Sequence, residues 1–70
     1  MFKVGDLVIT NYGHIGKIID IKLDNHIDHQ IIVKFPDMKE PGSFTLDGKL
    51  YSTRDLPAIR KLSKLEKAMR

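Results

Sequence analysis

The chain has 70 residues, of which 41% are hydrophobic and 30% charged, with a net charge of +3 and no cysteine. A chain this short forms one small domain of marginal stability, which argues against a large enclosed active-site cavity. The lack of cysteine excludes disulfides and thiolate metal sites.

The first predicted element is a β-hairpin. Residues Leu7–Thr10 form an apolar strand, and Asn11–His14 supply the asparagine and glycine that favour a chain reversal. The second strand is predicted at Gly16–Leu23, with Gly16 marking a bulge or a close backbone approach. Its period-2 alternation predicts an inward face formed by Ile19, Ile21 and Leu23.

Three more strands are predicted downstream. Gln30–Phe35 alternates in polarity and ends at Pro36, since proline cannot donate to a continuing ladder. Ser43–Leu46 and Lys49–Ser52 flank an Asp-Gly pair, which predicts a hairpin with a type I′ turn. Alternation places three residues of the third strand in the core, namely Ile31, Val33 and Phe35.

The last 15 residues change period and predict an amphipathic helix. Apolar side chains recur at steps of three and four, at Leu56, Ile59, Leu62, Leu65 and Met69. Asp55 is suited to cap the helix, and Pro57 is tolerated in a first turn. Residues 1–55 hold seven Lys/Arg and eight Asp/Glu, whereas residues 56–70 hold five Lys/Arg and one Glu. The basic charge is therefore concentrated in the predicted helix.

These elements predict a mainly β fold: a five-stranded barrel at 1–55 and a basic amphipathic helix at 56–70, packed on or projecting from the barrel as part of a single domain. The opening F-K-V-G-D-L-V-I-T-N-Y-G-H-I-G-K-I-I-D-I resembles the first hairpin of small SH3-like barrels of the KOW, Tudor-like and CarD-type groups. V-K-F-P-D and F-T-L-D-G-K resemble short phage- and prophage-encoded barrel proteins. The resemblance covers most of residues 2–53 and bears on the fold more than on function.

No catalytic signature is present, so an enzyme is not expected. The chain lacks a nucleophile elbow and a phosphate-binding loop, and no base stands beside its serines. The loop D-N-H-I-D-H places His26 and His29 among carboxylates, but zinc requires about four fixed ligands, and only His14 could add to them from elsewhere. A solvated loop is the simpler interpretation, and we predict neither a metal site nor a cofactor.

The predicted binding residues lie on the first hairpin, on the last hairpin and on the helix. A continuous positive helix face could engage phosphates, although a helix also needs a solvated side, which lysines supply. Tyr12 in its turn and Tyr51 beside a loop could stack on bases, hold a peptide or surround a methylated cation. The residues selected are Tyr12, His14, Lys17, Tyr51, Arg60, Lys61, Lys64, Lys67 and Arg70.

The apolar side of the helix has two interpretations. It covers an open end of the barrel, or its distal part docks on another chain and supports self-association. The residues concerned are Leu62, Leu65 and Met69.

The predicted function is a non-catalytic binding module that engages nucleic acid or a nucleic-acid-processing complex through the first hairpin and the helix. The alternative is a protein–protein adaptor or inhibitor, encoded by a phage in one version, that binds a host protein through the barrel surface, a strand edge or the helix. The chain has no apolar run near the ~20 residues of a membrane span and no signal-peptide core, so a cytoplasmic location without membrane contact is expected.

Overall fold

The fold is a single curled antiparallel sheet of five strands, a half-barrel. The computed structural model describes residues 2–51 and 57–68. The elements are β1 (Leu7–Thr10), β2 (Ile15–Ile21), a 3-10 helix (Ile27–His29), β3 (Ile31–Lys34), β4 (Gly42–Phe44), β5 (Ile59–Lys61) and α1 (Lys64–Ala68). In the sheet the strands are adjacent in the order β4-β3-β2-β1-β5. None of the helices in the described residues has the length and apolar composition of a membrane-spanning helix.

The core lies on the concave side of the sheet, and every strand contributes to it. The inward face predicted for the third strand is confirmed, since Ile31 and Val33 are fully buried and Phe35 is nearly so. Phe35 also packs on Gly16 of β2, where an added Cβ would lie 2.7 Å from the ring. This close approach is the one predicted from a glycine within an apolar strand. The core cluster consists of Val8, Ile18, Ile31, Val33, Phe35, Phe44 and Ile59.

The inward face predicted for β2 is wrong at two of its three positions. Ile18 is fully buried, whereas Ile19 is 46% exposed and Leu23 is 69% exposed. The pairing of β2 with β3 shifts by one residue between Ile18 and Asp20. This β-bulge at Ile19 adds one residue to β2 and reverses the alternation beyond it. The strand therefore buries Ile18 before the bulge and partly buries Ile21 after it.

Two turns of the sheet are built in the same way. Thr10 and Thr45 each accept a hydrogen bond at their carbonyl oxygen from the N–H of a glycine three residues later, at 3.0 Å from Gly13 and 2.9 Å from Gly48. The Thr10 N–H donates to the His14 carbonyl, and the Thr45 N–H donates to the Lys49 carbonyl. In return, each threonine Oγ1 accepts the N–H of the same residue, His14 or Lys49. Both glycines have positive φ, as in a three-residue loop ending in a glycine bulge.

The second of these turns corrects two predictions. A type I′ turn requires positive φ at Asp47 as well as at Gly48, but no described residue other than glycine has positive φ. The predicted strand at Lys49–Ser52 is not formed at residues 49–51, and Ser52 lies outside the described residues. The fifth strand is instead Ile59–Lys61, beside β1.

The predicted C-terminal amphipathic helix is wrong. Its residues Ile59–Lys61 form β5, with Ile59 paired to Thr10 and Lys61 paired to Val8. The Gly48 carbonyl accepts the N–H groups of both Ala58 and Ile59, at 2.8 and 3.0 Å. Backbone groups of Ile59–Lys61 that a helix would pair internally are thus bound by β1 and, for the Ile59 N–H, by the turn after β4. Among the described residues of this segment, 57–68, only Lys64–Ala68 are helical.

Asp6 links the N-terminal turn to β5. Its carboxylate accepts the Lys3 N–H at 2.9 Å and pairs with the Lys61 ammonium at 3.2 Å. The Lys3 hydrogen bond and the nearby Lys61 charge favour the ionised carboxylate, so the pKa of Asp6 is lowered despite partial burial, which opposes the shift.

We expect Asp6→Asn to reduce the free energy of unfolding at pH 7 by about 0.5–1.5 kcal/mol, the usual contribution of a hydrogen bond. Because the folded pKa is the lower one, this stabilisation is present above the unfolded value of about 3.9 and is lost as pH falls through the folded value. Urea unfolding from pH 7 to pH 2.5 measures the difference. Asp24→Asn, in the exposed loop after β2, controls for the lost charge. If the difference in the free energy of unfolding between the wild type and Asp6→Asn grew as the pH fell, the prediction would be contradicted.

Candidate binding groove

An apolar groove opens at the end of the half-barrel where the first hairpin turn, the loop after β3 and the segment after Gly48 meet. Its volume is about 210 Å³. Phe35 and Phe44 are buried and form the floor, whereas Tyr12, Met38 and Leu50 are 90%, 46% and 41% exposed and form the rim. The complete lining is Thr10, Asn11, Tyr12, His14, Phe35, Met38, Gly42, Phe44, Leu50 and Ala58.

The turn that carries Tyr12 is fixed on both sides. The Thr10 hydroxyl oxygen accepts the N–H groups of Tyr12 and His14, at 3.2 and 3.1 Å. Asn11 attaches the turn to the chain before β5, because its backbone N–H donates to Ala58 and its side-chain amide donates to Pro57, at 3.1 and 3.0 Å. Tyr12 is thus held on an ordered backbone although its side chain is almost fully exposed to solvent.

The floor of the groove belongs to the core. The rings of Phe35 and Phe44 meet edge to face, with centroids 6.4 Å apart and an interplanar angle of 70°. Gly42 contributes no side chain beside them, and an added Cβ there would lie 3.3 Å from the Phe35 ring. The position of the floor therefore depends on the packing of Phe35 between Gly16 and Gly42.

The groove has few charged side chains around it. Within the described residues its lining contains no Lys, Arg, Asp or Glu side chain. The polar side chains of this described lining are Thr10, Asn11, Tyr12 and His14, and Thr10 and Asn11 are engaged in holding the turn. The described lining can thus desolvate an apolar group, and it contains no carboxylate to balance a bound cation.

The residues predicted on the first hairpin lie on two surfaces. Tyr12 and His14 line the groove, whereas Lys17 projects from the outer face of β2, opposite Lys34 of β3. Tyr51 is 45% exposed and follows the rim residue Leu50 without lining the groove. Only the turn residues of this set contribute to a concave site.

The predicted basic helix face is divided by the corrected fold. Arg60 and Lys61 lie on β5, and Lys61 is paired with Asp6. Lys64 and Lys67 are exposed on α1, and Arg70 lies outside the described residues.

The predicted apolar stripe is divided as well. Leu62 is buried at 4% exposure, Leu65 is 72% exposed, and Met69 lies outside the described residues. Self-association through this segment stays a prediction, but Leu62 is not available for it.

Lys17 and Lys34 form a cationic pair that was not predicted. They occupy directly paired positions of β2 and β3, both are exposed, and neither forms an ion pair within the described part of the chain. Like charges directly opposite each other in an antiparallel sheet are destabilising. Finding this pair from sequence requires the strand register, which no local motif supplies.

The histidine loop is organised by hydrogen bonds of its own. His29 Nδ1 lies 2.7 Å from Ser43 Oγ, and His26 Nδ1 accepts the N–H of Asp28 at 3.2 Å, which caps the 3-10 helix. Within residues 2–51 and 57–68, no three metal-capable side chains are grouped. The loop therefore has a structural explanation.

No protein-family model matches the chain, and neither a curated protein nor a solved structure is significantly similar to it. The function is therefore argued from the groove and the charged surface of this molecule.

Proposed function

We propose that this chain is a non-catalytic binding module of the SH3-like barrel kind, which holds a protein partner through the apolar groove beside the first hairpin turn. The observation that carries the proposal is the position of Tyr12, 90% exposed at the rim of an apolar cavity. Large apolar side chains grouped at a concave surface mark interaction sites. This favours the protein adaptor over the nucleic-acid module among the functions predicted from sequence.

The fixed turn supports this proposal energetically. When the backbone of an exposed tyrosine is already ordered, binding has to fix only its side-chain rotamers, and preorganisation of this kind raises affinity by reducing the ordering cost. Tyrosine is also enriched among the residues that dominate binding energies. The hydrogen bonds from Thr10 and Asn11 supply the order here.

Affinity capture from the native lysate, followed by calorimetry with the purified partner, tests the proposal. We expect Tyr12→Ala to weaken binding at least about tenfold, which corresponds to ~1.4 kcal/mol. Leu23→Ala is the matched control, since Leu23 is 69% exposed and does not line the groove. Equal affinity of the wild type and a folded Tyr12→Ala variant would contradict the proposal.

Nucleic-acid binding is the second candidate, and it is favoured by Lys17 and Lys34, which form no ion pair with the residues that the structure describes. A phosphate placed between two ammonium groups would relieve their repulsion. Nuclease and salt arms of the same capture experiment separate the two candidates. A partner lost on nuclease treatment, and lost steeply between 50 and 200 mM salt, would support the nucleic-acid function, whereas a partner that is insensitive to both and is lost with Tyr12→Ala supports the groove.

A further inference from the structure

We infer that the groove accepts a bulky uncharged side chain, an aromatic ring or a branched aliphatic group, from an extended segment of a partner protein. A methylated or otherwise quaternary ammonium group is excluded from it. This inference rests on the proposed function and specifies the chemistry of the ligand.

Charge complementarity is the first argument. A cation over aromatic rings gains about 0.5–2 kcal/mol, but taking it out of water without a counter-ion costs several kcal/mol. No described lining residue is a carboxylate, so the described lining offers no ion pair to offset the cost of desolvating a cation. An uncharged group carries no such penalty and gains from burial of its apolar surface.

Size is the second argument. A closed apolar cavity of about 150 Å³ holds a benzene ring, so a groove of about 210 Å³ has room for one large side chain. Typical small-molecule sites enclose about 300–1,000 Å³, which is more than this groove offers. One side chain anchored in a groove is the pattern of peptide recognition.

The lining is suited to an irregular apolar occupant. Phe35 and Phe44 already meet edge to face, and a further ring gains from the same offset or edge-to-face geometries. Met38 on the rim is 46% exposed and unbranched, and methionine adapts to occupants of different shape.

Amide chemical shifts of the ¹⁵N-labelled chain, titrated with three small probes, test the inference. The probes are N-acetyl-phenylalaninamide, N-acetyl-leucinamide and tetramethylammonium chloride, at matched ionic strength. We expect both uncharged probes to shift the amides of Gly13, Gly42 and Leu50, with Kd values of about 1–10 mM. Tetramethylammonium should leave these amides unshifted.

A charge variant sharpens the test. Met38→Glu adds a carboxylate at an exposed position of the rim, so it should weaken the uncharged probes at least about threefold and allow tetramethylammonium to bind. Leu23→Glu adds the same charge outside the groove and should change neither affinity.

Three outcomes would overturn the inference. The first is that tetramethylammonium binds the wild type as tightly as the uncharged probes, and the second is that no probe shifts the groove amides. The third is that the groove amides shift with protein concentration alone, which would identify a second copy as the occupant. If the probes fail in this way but capture of a partner still depends on Tyr12, the inference about the ligand is wrong and the proposed function stands. If the probes bind as expected but capture does not depend on Tyr12, the proposed function is wrong instead.

Discussion

Gly16→Ala is expected to destabilise the domain by about 1–3 kcal/mol, the usual cost of overpacking a core. The added Cβ would lie 2.7 Å from both Phe35 Cδ1 and Val33 Cγ1, and both side chains are buried, so the core must shift to relieve the contacts. A folded chain of 70 residues has only about 4–10 kcal/mol of stability. The substitution therefore removes a large fraction of it, measurable as a lower midpoint in urea unfolding.

Gly42→Ala is the matched control, because it approaches the other side of the same ring. Its Cβ would lie 3.3 Å from Phe35 Cε2, a contact that a shift of a few tenths of an ångström relieves. We expect a loss below about 1 kcal/mol, within the range of modest packing changes. An unfolding midpoint for Gly16→Ala equal to that of the wild type or of Gly42→Ala would contradict the packing described here.

Two adjacent isoleucines should respond in opposite ways to truncation. Ile18→Ala is expected to cost about 2–5 kcal/mol, as for other fully buried isoleucines, whereas Ile19→Ala should change stability by less than about 0.5 kcal/mol. The contrast follows from the β-bulge, which buries Ile18 completely and leaves Ile19 46% exposed. Urea unfolding of the two variants measures it.

The alternation predicted from sequence gives the reverse order, with Ile19 as the core residue. A larger loss for Ile19→Ala than for Ile18→Ala would restore that register and contradict the bulge. Similar losses for both would place the two side chains in comparable environments, which is equally incompatible with the pairing of β2 and β3 described here.

The sequence was informative where local chemistry decides the structure. Strand β3 and its buried face are predicted because Ile31, Val33 and Phe35 recur at every second position and Pro36 ends the strand. Strand β1 and the first turn followed from an apolar run and from Asn11 and Gly13, which tolerate a reversal. The curled all-β sheet could thus be predicted in outline.

Errors arose where contacts distant in sequence decide the structure. The run of Ile18 and Ile19 satisfies either register of β2, and only the pairing with β3 selects one. The apolar spacing around Ile59 suits a helix, but hydrogen bonds to β1 and to the Gly48 carbonyl select a strand. Tertiary context overrides a weak local propensity in such segments.

The groove could be predicted only in part, for the same reason. Tyr12 and His14 were found because an aromatic residue in a turn is exposed. Met38 and Leu50 were not, since their approach to that turn depends on how the sheet curls. A shared pattern, T-N-Y-G-H and T-L-D-G-K, was present in the sequence and could have indicated that both turns are built alike.

Stability and binding are coupled through Phe35 in this small domain. The same ring fills the core against Gly16 and forms the floor of the groove. Substitutions that move it should therefore alter binding even when they lie outside the groove, and partial loss of binding in Gly16→Ala is expected wherever that variant still folds.

The central claim, that the groove holds an uncharged apolar side chain, is tested most directly by intermolecular nuclear Overhauser effects. The chain has three methionines, so in a uniformly ¹³C-labelled chain the methionine methyl groups give three signals, of which Met38 reports on the groove. With saturating N-acetyl-phenylalaninamide, we predict cross-peaks from the probe ring to the Met38 methyl group and to the Leu50 methyl groups. Cross-peaks confined to the outer face around Lys17 and Lys34, or none to Met38 at saturation, would contradict the claim.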